Sequence, residues 1–188
     1  VDSTLSRKDL LIGTVLFVAF AAILHFMGRV PWCECGIGLL TMYAWSSETS
    51  QHFLDPYSIS HILHGIIFYW VLGFIPNITW KQRLLGAFLI EAGWEILENS
   101  PVIIERYRSV TASLDYFGDS ILNSVGDILS CLLGFWIAMK APWKITLTLF
   151  LIIEIGMLIL WRDNLTLNII MLIYPIDAIR NWQVLILQ

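Results

Sequence analysis

Three carboxylates fall on one helical face in "EAGWEILENS", where Glu91, Glu95 and Glu98 recur at i, i+4 and i+7. Like charges so placed repel. In an apolar setting such as the preceding "LLGAFLI" each is costly unless protonated, paired with a cation or bound to a metal. "SHILHG" adds His61 and His64, three apart on one face, with His64 about 5 Å further along the helix. "DSILNSVGDILS" repeats the device with Asp119, Asn123 and Asp127 at i, i+4 and i+8, and Gly126 and Gly134 permit close helix contact. Imidazoles and carboxylates at one level suit two kinds of chemistry. With a divalent metal such as zinc they form a donor set that lowers the pKa of bound water towards about 7 and polarises a substrate oxygen. Without one, a carboxyl of raised pKa acts as general acid and a second as base. Glu91, Glu95, Asp119 and Asn123 are therefore the candidate catalytic residues, and His61, His64 and Asp127 the candidate metal ligands. The sequence leaves open whether a metal is bound.

Each reading has a plainer rival. Asp119 can serve as N-cap of "DSIL", Ser58 or Ser60 can cap the histidine helix, and the imidazoles can simply bond neighbouring carbonyls. Arg106 and Arg108, in the stretch between the two carboxylate groups, are expected to act as counter-ions or anion binders, with His52, Trp161 and Arg162 as further substrate contacts. "WRDN" also reads as an interfacial belt, and Glu154 in "LFLIIEIGMLIL" must find a partner of its own. Cys33 and Cys35 in "CEC" can hold a metal or pair as a tight disulfide; unpaired or locally structural thiols are the favoured reading.

The elements that must position these groups follow from composition. The 188 residues are 57% hydrophobic and only 14% charged, with mean hydropathy +0.73, against about 25% charged in soluble domains. This is the profile of an all-α, polytopic transmembrane bundle in one membrane-embedded domain, 1–188. A net charge of −4, a pI near 5.5 and no basic run exclude nucleic acid as a partner. Hydropathy marks five spans, at 10–27, 59–75, 84–97 (reaching 100 if "SPVIIE" extends it), 120–139 and 145–161. The first ends in "HFMGRVPW", without a small-residue cleavage site, and reads as a retained helix. Pro76, Pro101 and Pro142 stand where helices should stop or bend, and 165–174, ending before Pro175, is short enough to be re-entrant or interfacial.

With the N-terminus in the cytoplasm, the inner loops receive Arg7, Lys8, Lys81, Arg83, Lys140 and Lys144, nearly free of acids, as the positive-inside rule prefers. His25, His61, His64, the glutamates, Asp119, Asn123, Asp127 and the 161–164 stretch then gather on the outer side. Inverting the protein would keep them together, because alternate helix ends face the same way.

"SHILHGIIFYWVLGF", "EAGWEILEN…RYR" and "DSILNSVGDILSCLLGF" together resemble the VanZ-like superfamily, whose pattern is a histidine-led helix, a glutamate-bearing helix, an arginine, then Asp, Asn and Gly opening another helix. "SSETSQHFLDPYSISHILHG", "ENSPVIIERYR" and "WRDNLTLNIIMLIYPIDAIR" more closely resemble a bacterial inner-membrane family of unknown function. The resemblance implies a small helical inner-membrane protein, multi-pass, in contact with membrane lipids or a lipid-linked cell-wall precursor. Position by position it points to His61 or His64, Glu95, Arg106 or Arg108, Asp119, Asn123 and Gly126, while Glu91, Glu98 and Asp127 are additional to the superfamily pattern.

Three functions compete. A membrane enzyme would use the His/Glu/Asp group, with a metal or without, against a lipid-linked ester or phosphate. A binding or protective module would hold the same head group without turnover, its charge met by Arg106 and Arg108. A transporter would call on Glu154 as well, but the chain lacks the internal repeats common in transporters.

Overall fold

The computed structural model describes residues 4–111 and 115–185, and these form eight helices. They are α1 (Arg7–Phe26), α2 (Ser58–Gly73), α3 (Trp80–Glu98), α4 (Pro101–Val110), α5 (Ile121–Lys140), α6 (Trp143–Trp161), α7 (Leu165–Ile173) and α8 (Asp177–Val184). The all-helical bundle expected from hydropathy is what the chain forms. Three helices, α1, α5 and α6, are long and apolar enough to cross a membrane; α2 is apolar but 16 residues long. Length and composition among the described residues thus support three of the five expected spans. The difference lies in α3, which spends its turns on Lys81, Arg83, Glu91, Glu95 and Glu98, and in the shortness of α2.

Local chemistry fixes the helix ends. Ser6 with Asp9 and Thr79 with Gln82 form capping boxes at α1 and α3, and the Ser120 hydroxyl accepts from the Asn123 amide to start α5. Ser120 thus takes the capping role considered for Asp119. Likewise α2 is capped by Asp55, whose Oδ1 accepts from the Tyr57 and Ser58 amides, and not by Ser58 or Ser60. "SPVIIE" does not extend α3: Pro101 has no amide hydrogen to carry the helix onward and instead opens α4 as its first residue.

Helix α2 lies along α5 with almost no space between them. A Cβ on Gly65 would collide with the backbone of Cys131 and Phe135, and one on Gly134 with the carbonyl of Ile62, so each helix supplies a glycine to the other's backbone. Gly126 is likewise required, but against the Phe53 carbonyl of the preceding loop. One core cluster joins Phe20 and Leu24 of α1 to Phe88 and Ala92 of α3 and Ile128 of α5. The Lys81 ammonium donates to Asp9 at 2.5 Å, fixing the N-terminal ends of α1 and α3 at one level. The outer flanks of α1 and α6 are apolar and exposed, Val15 and Val18 on one, Ile152, Ile155 and Ile159 on the other, as lipid-facing surfaces are.

After α6 the chain turns at Arg162, in the left-handed region with φ 52°, and Asn164 caps α7. Helix α7 begins against Glu154. That carboxylate accepts from the Leu165 and Thr166 amides at 3.0 and 3.2 Å and from the Thr166 hydroxyl. The partner demanded by an isolated intrahelical glutamate is thus a helix N-terminus.

Candidate functional site

The N-terminal end of α2, the C-terminal half of α3 and the first turns of α5 converge. His61 and His64 meet edge to face with ring centroids 4.8 Å apart. Both reach Glu91: His61 Nδ1 is hydrogen-bonded to Oε1, and His64 Nδ1 lies 3.1 and 3.0 Å from Oε1 and Oε2. The imidazoles therefore do not merely bond neighbouring carbonyls. His61 Nδ1 also lies 3.5 Å from Glu95 Oε1, and its Nε2 stands 3.9 Å from Asp127 Oδ2. Asp127 is held by the Ser58 hydroxyl, which donates to Oδ1 at 2.6 Å. Glu95 differs from the others. It is 0% exposed, and neither carboxylate oxygen has a hydrogen-bond partner. Leaving a buried polar atom unsatisfied costs about 1–3 kcal/mol, and more when it is charged, so this position calls for a cation or a proton.

A cavity of about 350 Å³ opens beside this group. Its polar lining includes His61, His64, Glu98, Tyr107, Asp119 and Asp127, and its apolar lining Ile67, Phe68, Ile90, Trp94, Ile169 and Leu172. Helices α2, α3 and α7 thus supply a greasy wall, and the carboxylates a polar one. Among the described residues two three-membered groups have donor atoms within 4.8 Å of one another here, His61 with His64 and Glu91, and His61 with Glu95 and Glu98.

At the cavity edge, outside the long helices, Asp119 accepts from Asn99 Nδ2 at 2.8 Å and from the Tyr116 hydroxyl at 2.9 Å. Burial still raises its pKa, against the pull of those two bonds. Burial also pushes the phenols of Tyr107 and Tyr116 upward, reinforced by Glu98 and Asp119 respectively, so both stay protonated donors. Asp163 accepts from the Tyr57 hydroxyl at 3.0 Å and from Gln183 Nε2 at 3.2 Å, and burial lifts its pKa to about 7.

The family described as "Protein of unknown function (DUF2585)" matches residues 24–185, a stretch that includes every helix of the site. The chain belongs to the DUF2585 family. It is 49% identical over 177 residues to the UPF0314 protein of Brucella anthropi, covering 92% of this chain and 90% of that one. The UPF0314 proteins of Paracoccus denitrificans and Sphingopyxis alaskensis are 46% and 47% identical, covering 91% and 95% of this chain and 90% and 96% of theirs. No solved structure matches.

In this DUF2585 chain the residues singled out by spacing divide in two. His61, His64, Glu91, Glu95, Asp119 and Asp127 come together, with Asn123 one step away, its Nδ2 donating to the His52 carbonyl at 2.8 Å. Arg106, Arg108, Trp161, Arg162 and the His52 side chain do not line the cavity. Arg106 Nε donates to the Leu172 carbonyl at 3.0 Å and Arg108 Nε to the Tyr116 carbonyl, so each commits one N–H to backbone. Trp161 Nε1 donates to the Met42 carbonyl at 3.1 Å, and Arg162 Nη1 to the Trp182 carbonyl at 2.8 Å. The ion pairs of Glu91, Glu95 and Asp127 are all with histidine. Tyr57, Tyr107, Tyr116 and Asn168 line the cavity without a signal in spacing that would have found them; Asp163 does so from the "WRDN" run.

Proposed function

We propose that this protein is a multi-pass protein of the bacterial inner membrane whose cavity takes an amphipathic, lipid-linked molecule and hydrolyses an ester or phosphate of its head group with the aid of a divalent metal. The observation that carries this reading is Glu95, fully buried with neither oxygen hydrogen-bonded and within reach of His61 and Glu98. An imidazole and two carboxylates are a donor set suited to zinc or another divalent ion. When bound, such an ion supplies an activated water and polarises the scissile oxygen.

The chain's own residues do the rest. Glu91 orients His61 and His64 by accepting from both rings, as carboxylates behind ligating histidines do. Tyr107 and Tyr116 remain protonated at the cavity edge, their hydroxyls donating to Asn168 Oδ1 at 2.8 Å and Asp119 Oδ1 at 2.9 Å, and so hold the polar rim in place. The apolar wall from α2, α3 and α7 suits an acyl or prenyl chain. With Arg106 and Arg108 outside the cavity lining, an anionic head group there would meet carboxylates without an arginine to neutralise them, which favours a metal over arginine-based binding alone.

In this proposal α2 and α3 complete five crossings and the N-terminus is cytoplasmic. The Lys81 to Asp9 pair gathers the basic N-terminal ends of α1 and α3 at the end opposite the site, which supports a cavity near the outer leaflet. The VanZ-like pattern of the helix motifs supports a cell-envelope precursor as the class of lipid.

Elemental analysis of detergent-purified, chelator-free protein tests the reading, beside the His61→Ala/His64→Ala double variant. About one zinc or similar ion per chain, lost in the double variant, is expected, with release of head group from lipid-linked phosphates by the wild type only. A folded wild type free of metal that binds such lipids without turnover would overturn the hydrolase in favour of a binding module.

A further inference from the structure

Away from the cavity, the segment between α1 and α2 assembles a second set of donors. Cys33 and Cys35 are joined by a disulfide, Cys33 buried and Cys35 exposed, in place of the unpaired thiols expected from the sequence. His52 Nε2 lies 3.8 Å from Cys35 Sγ and 3.3 Å from Glu48 Oε2, and one donor atom each from Cys33, Cys35 and His52 falls within 4.8 Å of the others. The imidazole is fixed in place. Gly38 leaves room for it where a Cβ would collide with the ring, and Asn123 Nδ2 donates to its backbone carbonyl. Its buried Nδ1 lies against Gly38 without a hydrogen-bond partner, so Nε2, facing Cys35 and Glu48, is the nitrogen placed to ligate.

We propose that reduction of the Cys33–Cys35 disulfide opens a metal site made of Cys33, Cys35, His52 and Glu48, selective for a thiophilic divalent ion such as zinc. Donors around tetrahedral zinc stand about 3.3–3.8 Å apart, given bonds of about 2.3 Å to sulfur and 2.0 Å to nitrogen. The His52 distances to Cys35 and Glu48 already fall in that range. In the disulfide form two of the four donors are not thiolates, and the site is closed. Opening it takes an external dithiol, which attacks through the exposed Cys35 side and delivers two electrons and two protons. The dithiol leaves as its own disulfide, and Cys33 and Cys35 become thiols. Metal binding then displaces both thiol protons to water.

The experiment uses the full chain in detergent, half kept oxidised and half reduced with an immobilised dithiol, each titrated with cobalt(II) as a spectroscopic substitute for zinc. The reduced chain should bind one more equivalent than the oxidised chain, with cobalt–thiolate charge-transfer bands that the oxidised chain lacks. His52→Ala should weaken that equivalent by at least about tenfold, while His61→Ala should leave the bands in place, separating this site from the cavity. A reduced chain without thiolate bands, or bands of unchanged affinity in His52→Ala, would overturn the proposal. Because both redox states are the same polypeptide, a variant that fails to fold does not obscure the result.

Discussion

Two buried glutamates of this protein, Glu154 and Glu95, have opposite surroundings. Glu154 in α6 is saturated, its carboxylate receiving two amides and a hydroxyl from the start of α7. Glu95 in α3 receives no hydrogen bond and has only His61 Nδ1 at 3.5 Å. Both look equally anomalous in a hydropathy profile. Only the accounting of donors tells the two apart: Glu154 is bonded into the architecture, and Glu95 is the carboxylate on which the proposed metal site rests.

Substitution should separate the two. The largest effect on stability belongs to Glu154→Ala, which strands the Leu165 and Thr166 amides; thermal unfolding in detergent should register a loss of about 3 kcal/mol, with metal content per folded chain unchanged. A stable Glu154→Ala protein would erase the distinction. Glu95→Gln should do the reverse, costing less than about 1 kcal/mol because it removes a buried charge, while metal retention falls by at least about tenfold. If both variants lost stability equally, Glu95 would be structural after all.

A pH series sharpens the comparison at Asp163, which is bonded like Glu154 yet borders the cavity. Its folded pKa, about 7, lies above the ordinary value of 3.8. Its contribution to stability is thus fully present below about pH 4 and is lost as pH rises to about 7. Asp163→Asn should flatten that part of the stability profile, read as melting temperature against pH. The smallest effect is expected for Ser58→Ala, which removes the hydroxyl donated to Asp127 and should cost about 1 kcal/mol in thermal unfolding. Metal occupancy should fall less than with Glu95→Gln, since Asp127 lies outside both three-donor groups.

Periodicity carried the sequence reading a long way. The i, i+4 and i, i+3 placement of Glu91, Glu95, His61 and Asp127 was enough to bring them to one level, because helix faces and alternate helix ends are local geometry. Pro101, Pro142 and the polar breaks likewise marked real helix ends. What spacing could not reveal was partnership across the chain. Arg106 and Arg108 looked like counter-ions, but their guanidinium groups meet carbonyls of Leu172 and Tyr116. His52, expected as a substrate contact, belongs with Cys35 and Glu48. Asp55, rather than a serine, caps α2 because a tight turn returns its side chain to the helix start. Each of these depends on a fold-back that neither charge nor hydropathy encodes.

The paired glycines of α2 and α5 bear on how readily this protein can be altered. With backbone touching backbone at Gly65 and Gly134, neither helix can rotate about its own axis, so the angle between His61 and Asp127 is fixed by main chain rather than by side-chain packing. Changes of specificity then have one inexpensive route. The wall contributed by α7, at Asn168, Ile169 and Leu172, can be resurfaced residue by residue while the donor geometry on the opposite side stays as it is. Selection, or a protein engineer, would find new ligands there first.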